Sequence, residues 1–253
     1  MGGTDATGLK IYSPKDLLKD GFSGNIWIGT RLYYKEIKDQ LIHDFGISTD
    51  QIKNTGKIID EMAVRQYFDL DELPRYEKEV FLDVGSLDGM TALRFLNWAG
   101  DSGKRVYCFE PDEKNIEKVS KNLKNEIEAG YAKIIPYGAW NQKTTLKFKA
   151  TGNGVSMVTD DGVSINASTI DEEIPAGEPV SFIKMDIEGS ELRALIGAEN
   201  TIKRNHPKLA ISAYHKPEDI LTLANEILQI DDSYRFYLRH YSLTDEETVL
   251  YGL

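Results

Sequence analysis

Asp83 stands two residues before Gly85 in the run EVFLDVGSLDGMTALRF, Ser86 and Gly89 complete the turn, and the next apolar run, RVYCFEPD, ends on a second acid, Glu110. A glycine-lined turn between a buried strand and a helix points backbone N–H groups and the helix N-terminus at a ligand. An acid at the end of the following strand can accept hydrogen bonds from two ribose hydroxyls. Together these residues describe a nucleoside-bearing cofactor. A dinucleotide would lay a pyrophosphate over the turn, where Asp83 repels it. S-adenosylmethionine brings an ammonium and a sulfonium instead, which Asp83 attracts directly or through water. The turn also lacks the third glycine of the dinucleotide fingerprint. The competing structural reading makes Asp83 a helix cap and Glu110 a solvated strand end.

A second constellation lies in FIKMDIEGSELRALIGA. An apolar strand ends there, the chain turns through Gly189, and a helix follows, so Asp186 and Glu188 sit at the rim of a cleft. They can share one proton, or one can pair with Lys184 or Lys216. Glu188 and Glu191 also read as first-turn acids favoured by the helix dipole, and for Glu191 that reading is preferred. His215 in ISAYHKPED follows the next strand and is a candidate base or, equally, a cap. Asp186, Glu188 and His215 are therefore the candidate catalytic residues. Asp186 and Glu188 are hard oxygen ligands, which leaves a divalent metal open, but no third ligand accompanies them at recognisable spacing and no metal-ligand set is assigned. His43, His206 and His240 lack acidic partners at ligand spacing. Cys108 reads as a small buried hydrophobe, Tyr33, Tyr34, Tyr67, Phe68 and Trp140 as core aromatics rather than a pocket lining, and Asp171-Glu172-Glu173 as a solvated loop.

The elements that must position these groups alternate from Glu79 onward between short apolar runs and helical segments, the pattern of a parallel sheet covered on both faces. Strands are predicted at 79–84, 105–109, 132–137, 180–186, 208–214 and 234–240, with a last one near 247–251. Helices are predicted at 89–99, 112–128, 189–204 and 217–229. The stretch 143–174 has the period-two look of antiparallel strands and reads as a β-rich insertion near the active edge. Residues 1–76 read as an N-terminal helical extension: Ser13-Pro14 opens a short helix, a second follows Thr30, and Ser48-Thr49-Asp50-Gln51 is a capping box for a third. The domain proper is then 77–253.

At 253 residues and 41% hydrophobic, the chain can build a core that buries roughly 70 to 75% of its unfolded surface. The 30 basic against 41 acidic residues give a formal charge of −11, which disfavours nucleic acid and anionic membranes as partners and suits a small neutral substrate. One cysteine permits no disulfide framework, and the first residues carry no secretory pattern, so a reducing, cytoplasmic location is expected.

FLDVGSLDGMT, CFEPDEKNIEKVSKN and above all FIKMDIEGSELRALIGA, with Lys184, Asp186, Glu188, Gly189 and Glu191, resemble the FkbM family of S-adenosylmethionine-dependent methyltransferases. The resemblance spans residues 60 to 253 approximately and includes Asn115 and Asn122. It departs after the first glycine, where the family often reads Ala-Asn-Ile-Gly and this chain has Ser86-Leu87-Asp88-Gly89. It implies the Rossmann-like class I methyltransferase α/β fold, with a mostly parallel seven-stranded sheet and helices on both faces. By position, Asp83, Gly85, Ser86 and Gly89 would hold the methionine end of S-adenosyl-L-methionine and Glu110 its ribose. Pro111 would flank the adenine on one side and Gly138-Ala139 on the other, with Asp186 between cofactor and acceptor.

The leading expectation is methyl transfer to a hydroxyl of a sugar or other small metabolite, in which the protein supplies alignment and a base. A nicotinamide-dependent dehydrogenase shares the strand, turn and ribose acid. A non-catalytic binding module would keep the fold alone. The N-terminal helices offer a surface for homo-oligomerisation.

Overall fold

Two units, Met1–Val64 and Arg65–Leu253, make up the chain in the computed structural model, so the division falls ahead of residue 76. The structure describes residues 3–4, 8, 10–18, 21–30, 33–100, 103–150, 156–158, 162–243 and 245–253.

The first unit is mixed rather than helical. Strand β1 (Gly3–Thr4) pairs antiparallel with β2 (Lys10–Ile11), and α1 (Pro14–Leu18) starts on the expected proline. Strand β3 (Ile26–Ile28) leads to α2 (Tyr34–His43). The Ser48 capping box forms, with the Ser48 N–H donating to Gln51 Oε1 at 3.3 Å, yet it opens only a 3-10 turn, Thr49–Gln51. The chain then extends as β4 (Ile52–Asn54), parallel to β3, before α3 (Thr55–Arg65). The β-branched residues Ile28 and Ile52 gain burial with Leu41 and Ile47 by pairing as strands, which outweighs continuing a helix.

The second unit runs β5 (Lys78–Val84), α4 (Met90–Ala99), β6 (Gly103–Phe109), α5 (Glu113–Asn122), α6 (Lys124–Glu128) and β7 (Ala132–Ile135). Next come β8 (Gly138–Ala139), β9 (Thr144–Ala150), β10 (Ser156–Val158), β11 (Val163–Ser168) and α7 (Ile170–Glu173). The chain finishes through β12 (Phe182–Met185), α8 (Glu191–Ile196), α9 (Glu199–Asn205), β13 (Lys208–Ser212), α10 (Asp219–Ile230), β14 (Phe236–His240) and β15 (Thr248–Gly252). The main sheet has the order β14-β15-β13-β12-β5-β6-β7, and only β15 runs antiparallel to its neighbours. From β5 the chain steps outward through β6 to β7, then returns to the other side of β5 as β12. The carboxyl ends of β5 and β12 therefore form the switch point, where such sheets bind ligands.

Side-chain alternation sorts the core onto two faces. Leu82, Val84, Ile183 and Met185 pack with Leu195 and Leu223 on one. On the other, Phe81 and Phe182 meet Phe95 and Tyr251, the Phe81 and Phe95 rings stacked at 4.4 Å. Two expected long helices are each broken. Leu123, fully buried, separates α5 from α6, and at Gly197 a Cβ would lie 2.0 Å from the Trp140 carbonyl oxygen, so the backbone approaches too closely for a continuous helix of larger residues. In the insertion β9 pairs antiparallel with β10 and β11. β11 also pairs in parallel with β8, which ties this small sheet to Gly138-Ala139. Residues 151–155 and 159–161 of the expected insertion lie outside the described residues. The acidic run Asp171-Glu172-Glu173 forms α7 rather than a loop, capped by the Thr169 hydroxyl, which accepts the Glu172 N–H, and Asp171 in turn accepts the N–H groups of Asn200 and Thr201 at the start of α9. Among the described residues no helix is long and apolar enough to cross a membrane.

Candidate functional site

Asp83, the penultimate residue of β5, is fully buried, and Lys184 of β12 stands beside it in register with Nζ 3.1 Å from Oδ1. The approach is off the hydrogen-bonding axis, and neither Asp83 oxygen has an aligned donor. Burial pushes the Asp83 carboxyl above its ordinary range, while Lys184 pulls it back. Lys184 does not pair with Asp186 or Glu188; its ammonium donates instead to the Gly85 carbonyl at 2.7 Å and the Val84 carbonyl at 3.4 Å. Lys216 likewise donates to the Gly189 carbonyl.

The turn after β5 is fixed by backbone geometry. Gly85 has φ +82°, and a Cβ there would lie 2.0 Å from the Asp186 carbonyl oxygen, so only glycine lets the two strand ends meet. Ser86 is buried, and its hydroxyl donates to the Asp83 carbonyl at 2.7 Å. Leu87 also lies in the left-handed region, φ 53°, and its N–H donates to Glu110 Oε2 at 2.9 Å. Gly89 caps α4, facing Leu123 and Val119.

Glu110 follows β6 and is buried rather than a solvated strand end. Its Oε1 accepts the Asp112 N–H at 3.0 Å and the Asn115 side-chain amide at 3.4 Å. Burial raises its pKa, opposed by these donors and Leu87. Asn122 holds the same turn from α5 by donating to the Asp88 carbonyl at 2.9 Å. Pro111 faces Gly138: a Cβ on that glycine would lie 3.8 Å from Pro111 Cγ and 3.4 Å from Ile165 Cδ1. Ala139 is buried beneath.

Across the switch point, Asp186 accepts the Tyr67 hydroxyl at 3.1 Å and the Tyr214 hydroxyl at 3.2 Å. His215 brings Nε2 to 3.6 Å from Asp186 Oδ1 and 3.5 Å from Glu188 Oε2, and Nδ1 to 3.2 Å from Glu191 Oε1. Burial of the ring pulls its pKa down, but Glu191, Asp186 and Glu188 outweigh it, and the net direction is up. Glu188 is pushed up to about 7, mainly by burial. The three expected catalytic residues thus meet in space. Tyr67 is in the core and Glu191 in the first turn of α8, as the sequence implies, and each in addition touches this cluster. Asp186, Glu191 and His215 also supply three potential metal-ligand types close together, a third partner that sequence spacing hid. Away from the site, His206 does have an acidic partner, Asp231 at 2.8 Å, and Cys108 is buried, which pushes its thiol up.

A family model for the methyltransferase FkbM domain matches residues 83–238. No curated protein sequence matches the chain. Among solved structures, a methyltransferase FkbM from Methylobacillus flagellatus KT is 31% identical with a TM-score of 0.64, covering 75% of this chain and 47% of that one. This chain therefore spans about half the length of that protein. A fibrillarin from Aeropyrum pernix, solved with S-adenosyl-L-methionine, is 14% identical with a TM-score of 0.49, covering 76% of this chain and 74% of the other. By the family model and the 31% identical relative, this chain belongs to the FkbM methyltransferase family.

Proposed function

We propose that the protein transfers a methyl group from S-adenosylmethionine to a hydroxyl oxygen of a small metabolite or sugar. The observation that carries this reading is the meeting of His215, Asp186 and Glu188 at the carboxyl ends of β12 and β13, directly beside the Gly85 turn. A hydroxyl acceptor must lose a proton as its oxygen attacks, and this cluster is a proton acceptor at the right edge of the sheet.

The residues of the turn fit the cofactor. Asp83, buried and faced by Lys184, supports the turn from beneath, and among the described residues Glu110 Oε2 accepts the Leu87 N–H alone, leaving a lone pair for a ribose hydroxyl. Pro111 and Gly138 offer an apolar face against which the adenine would lie. Bound there, S-adenosylmethionine supplies an electrophilic methyl on a sulfonium. His215 takes the hydroxyl proton at Nε2 and the resulting imidazolium is held by the surrounding carboxylates, while Asp186, fixed by two tyrosine hydroxyls, orients the acceptor. The carboxylates of the cluster repel phosphate, which favours a neutral small acceptor over nucleic acid.

Membership in a methyltransferase family removes the dehydrogenase reading. The charge argument from Asp83 no longer separates the two cofactors, because Lys184 already meets that charge. The test is a thermal-shift comparison followed by product analysis. S-adenosylhomocysteine at about 100 times its dissociation constant should add about 2.7 kcal/mol of stability, and NAD none. Incubation with methyl-labelled S-adenosylmethionine and a panel of sugars and hydroxylated metabolites should then yield an O-methyl product, identified by NMR. Binding without turnover of any acceptor would favour the non-catalytic module, and methylation at nitrogen would overturn the oxygen assignment.

A further inference from the structure

We propose that Glu191 is a positioning residue that holds the His215 ring with its proton on Nδ1 and Nε2 free to face the acceptor. The inference rests on reading His215 as the base.

Glu191 is the first residue of α8, a place where acids usually face solvent and the N–H groups of their own turn. Here its side chain is only 1% exposed, and Oε1 turns back to accept the Ile187 N–H at 2.8 Å. The same oxygen lies 3.2 Å from His215 Nδ1, on a different strand end, in a charge contact off the hydrogen-bonding axis, and neither ring nitrogen has an aligned partner. One buried carboxylate therefore faces the imidazole from the turn that carries Asp186 and Glu188. A carboxylate only accepts, so the ring nitrogen nearest to it carries the proton of a neutral imidazole. The distances on the other side, 3.5 and 3.6 Å from Nε2, are longer, and Asp186 Oδ1 is already engaged by Tyr214. The Tyr214 ring lies against the imidazole at 4.1 Å and 34°, which resists a flip. The charged groups facing the ring are Asp186 and Glu188 from the turn after β12, Glu191 from α8, Asp219 from α10 and Glu247 before β15.

Glu191→Leu is the discriminating variant. Oε1 serves both the Ile187 N–H and Nδ1, so an amide could keep its oxygen there and leave the tautomer unchanged, whereas leucine removes the acceptor and leaves Asp186 and Glu188 to draw the proton to Nε2. Nitrogen-15 NMR of histidine-labelled protein should show the Nδ1–H tautomer in the wild type and the Nε2–H tautomer in the variant. The kcat should fall by ~10² to 10⁴, with S-adenosylhomocysteine affinity and acceptor KM little changed, and the acid limb of the kcat profile should move to lower pH. If the variant does not fold, the wild-type tautomer still decides. A wild-type Nε2–H tautomer, or a Glu191→Leu variant whose tautomer matches the wild type, would overturn the inference, as would a manganese-dependent rise in melting temperature that Glu191→Leu abolishes, since Asp186, Glu191 and His215 would then hold an ion. If the wild type methylates no acceptor, the functional reading fails, while the tautomer measurements still judge the role of Glu191.

Discussion

Lys184 and Asp83 face each other across β12 and β5 in direct register, Nζ 3.1 Å from Oδ1, with both side chains sealed from water. The pair sits under the cofactor turn, and Lys184 also holds the Gly85 carbonyl while its ammonium lies 5.6 Å from the centre of the Tyr67 ring. Tyr67 in turn donates to Asp186. A single buried cation thus links the turn after β5 to the residue at the end of β12. Removing it should disturb stability and site together.

Lys184→Met strips the counter-charge from a buried carboxylate and should destabilise by about 3 to 5 kcal/mol at pH 8, read by urea denaturation. The native Asp83 carboxyl already lies above its ordinary range because of burial, and losing Lys184 lifts it further. A raised native pKa means the group favours folding most at pH below its unfolded value and least above its folded value. The deficit should therefore shrink towards acid pH. Adding Asp83→Asn should recover part of the loss, and strict additivity of the two changes would deny the pairing.

Gly85→Ala and Gly138→Ala separate folding from binding. At Gly85 the left-handed backbone alone costs ~1 to 2 kcal/mol for an L residue, and the methyl must also displace the Asp186 carbonyl oxygen. That variant should unfold at markedly lower temperature. At Gly138 the methyl meets only ordinary contacts at 3.4 Å or more, so the fold should hold, but the methyl is added to the face beside Pro111 proposed for the adenine. S-adenosylhomocysteine affinity, by calorimetry, should fall in Gly138→Ala with a near-native melting temperature. Equal affinity would take the adenine off this face.

Much of the second unit is legible because strands buried on both faces write themselves as apolar runs: VFLDV, VYCF, FIKM and KLAIS all fall in the main sheet. Asp83, Glu110 and Asp186 are legible as strand ends. Their partners are not. Lys184 meets Asp83 through parallel register, which no local spacing encodes, and Tyr67 reaches Asp186 from the segment ahead of β5. Glu191 was masked because an acid in the first turn of a helix has an adequate local explanation. The first unit was misjudged for a related reason: a capping box specifies a helical start, not its length, and Ile52 pairs with Ile26 immediately afterwards.

Leu87 holds a left-handed backbone, φ 53°, with its side chain 46% exposed, and its N–H secures Glu110. Asparagine tolerates this conformation better than leucine and loses little packing at so open a position. Leu87→Asn should therefore stabilise by about 1 kcal/mol, seen as a higher urea midpoint with an unchanged slope. A lower midpoint would mean that the exposed leucine makes contacts worth more than the backbone strain.

Glu188 combines a left-handed backbone, φ 57°, with a carboxyl pushed up to about 7. Burial is the main cause, the charges of Asp186, Glu191 and Glu246 add to it, and His215 opposes them. Between the ordinary value of 4.5 and about 7 the folded protein holds this proton more tightly than the unfolded chain does. The contribution of Glu188 to stability is therefore complete below pH 4.5 and is lost as pH rises through about 7. Glu188→Gln keeps the shape and removes the titration, so the variant should melt above the wild type at pH 8 and close to it at pH 4. The comparison is made in chelator, so that no ion bound by the neighbouring residues contributes. A difference that stays constant across this pH range would show that the carboxyl titrates where an exposed glutamate does, and would remove Glu188 from the proton-sharing group around His215.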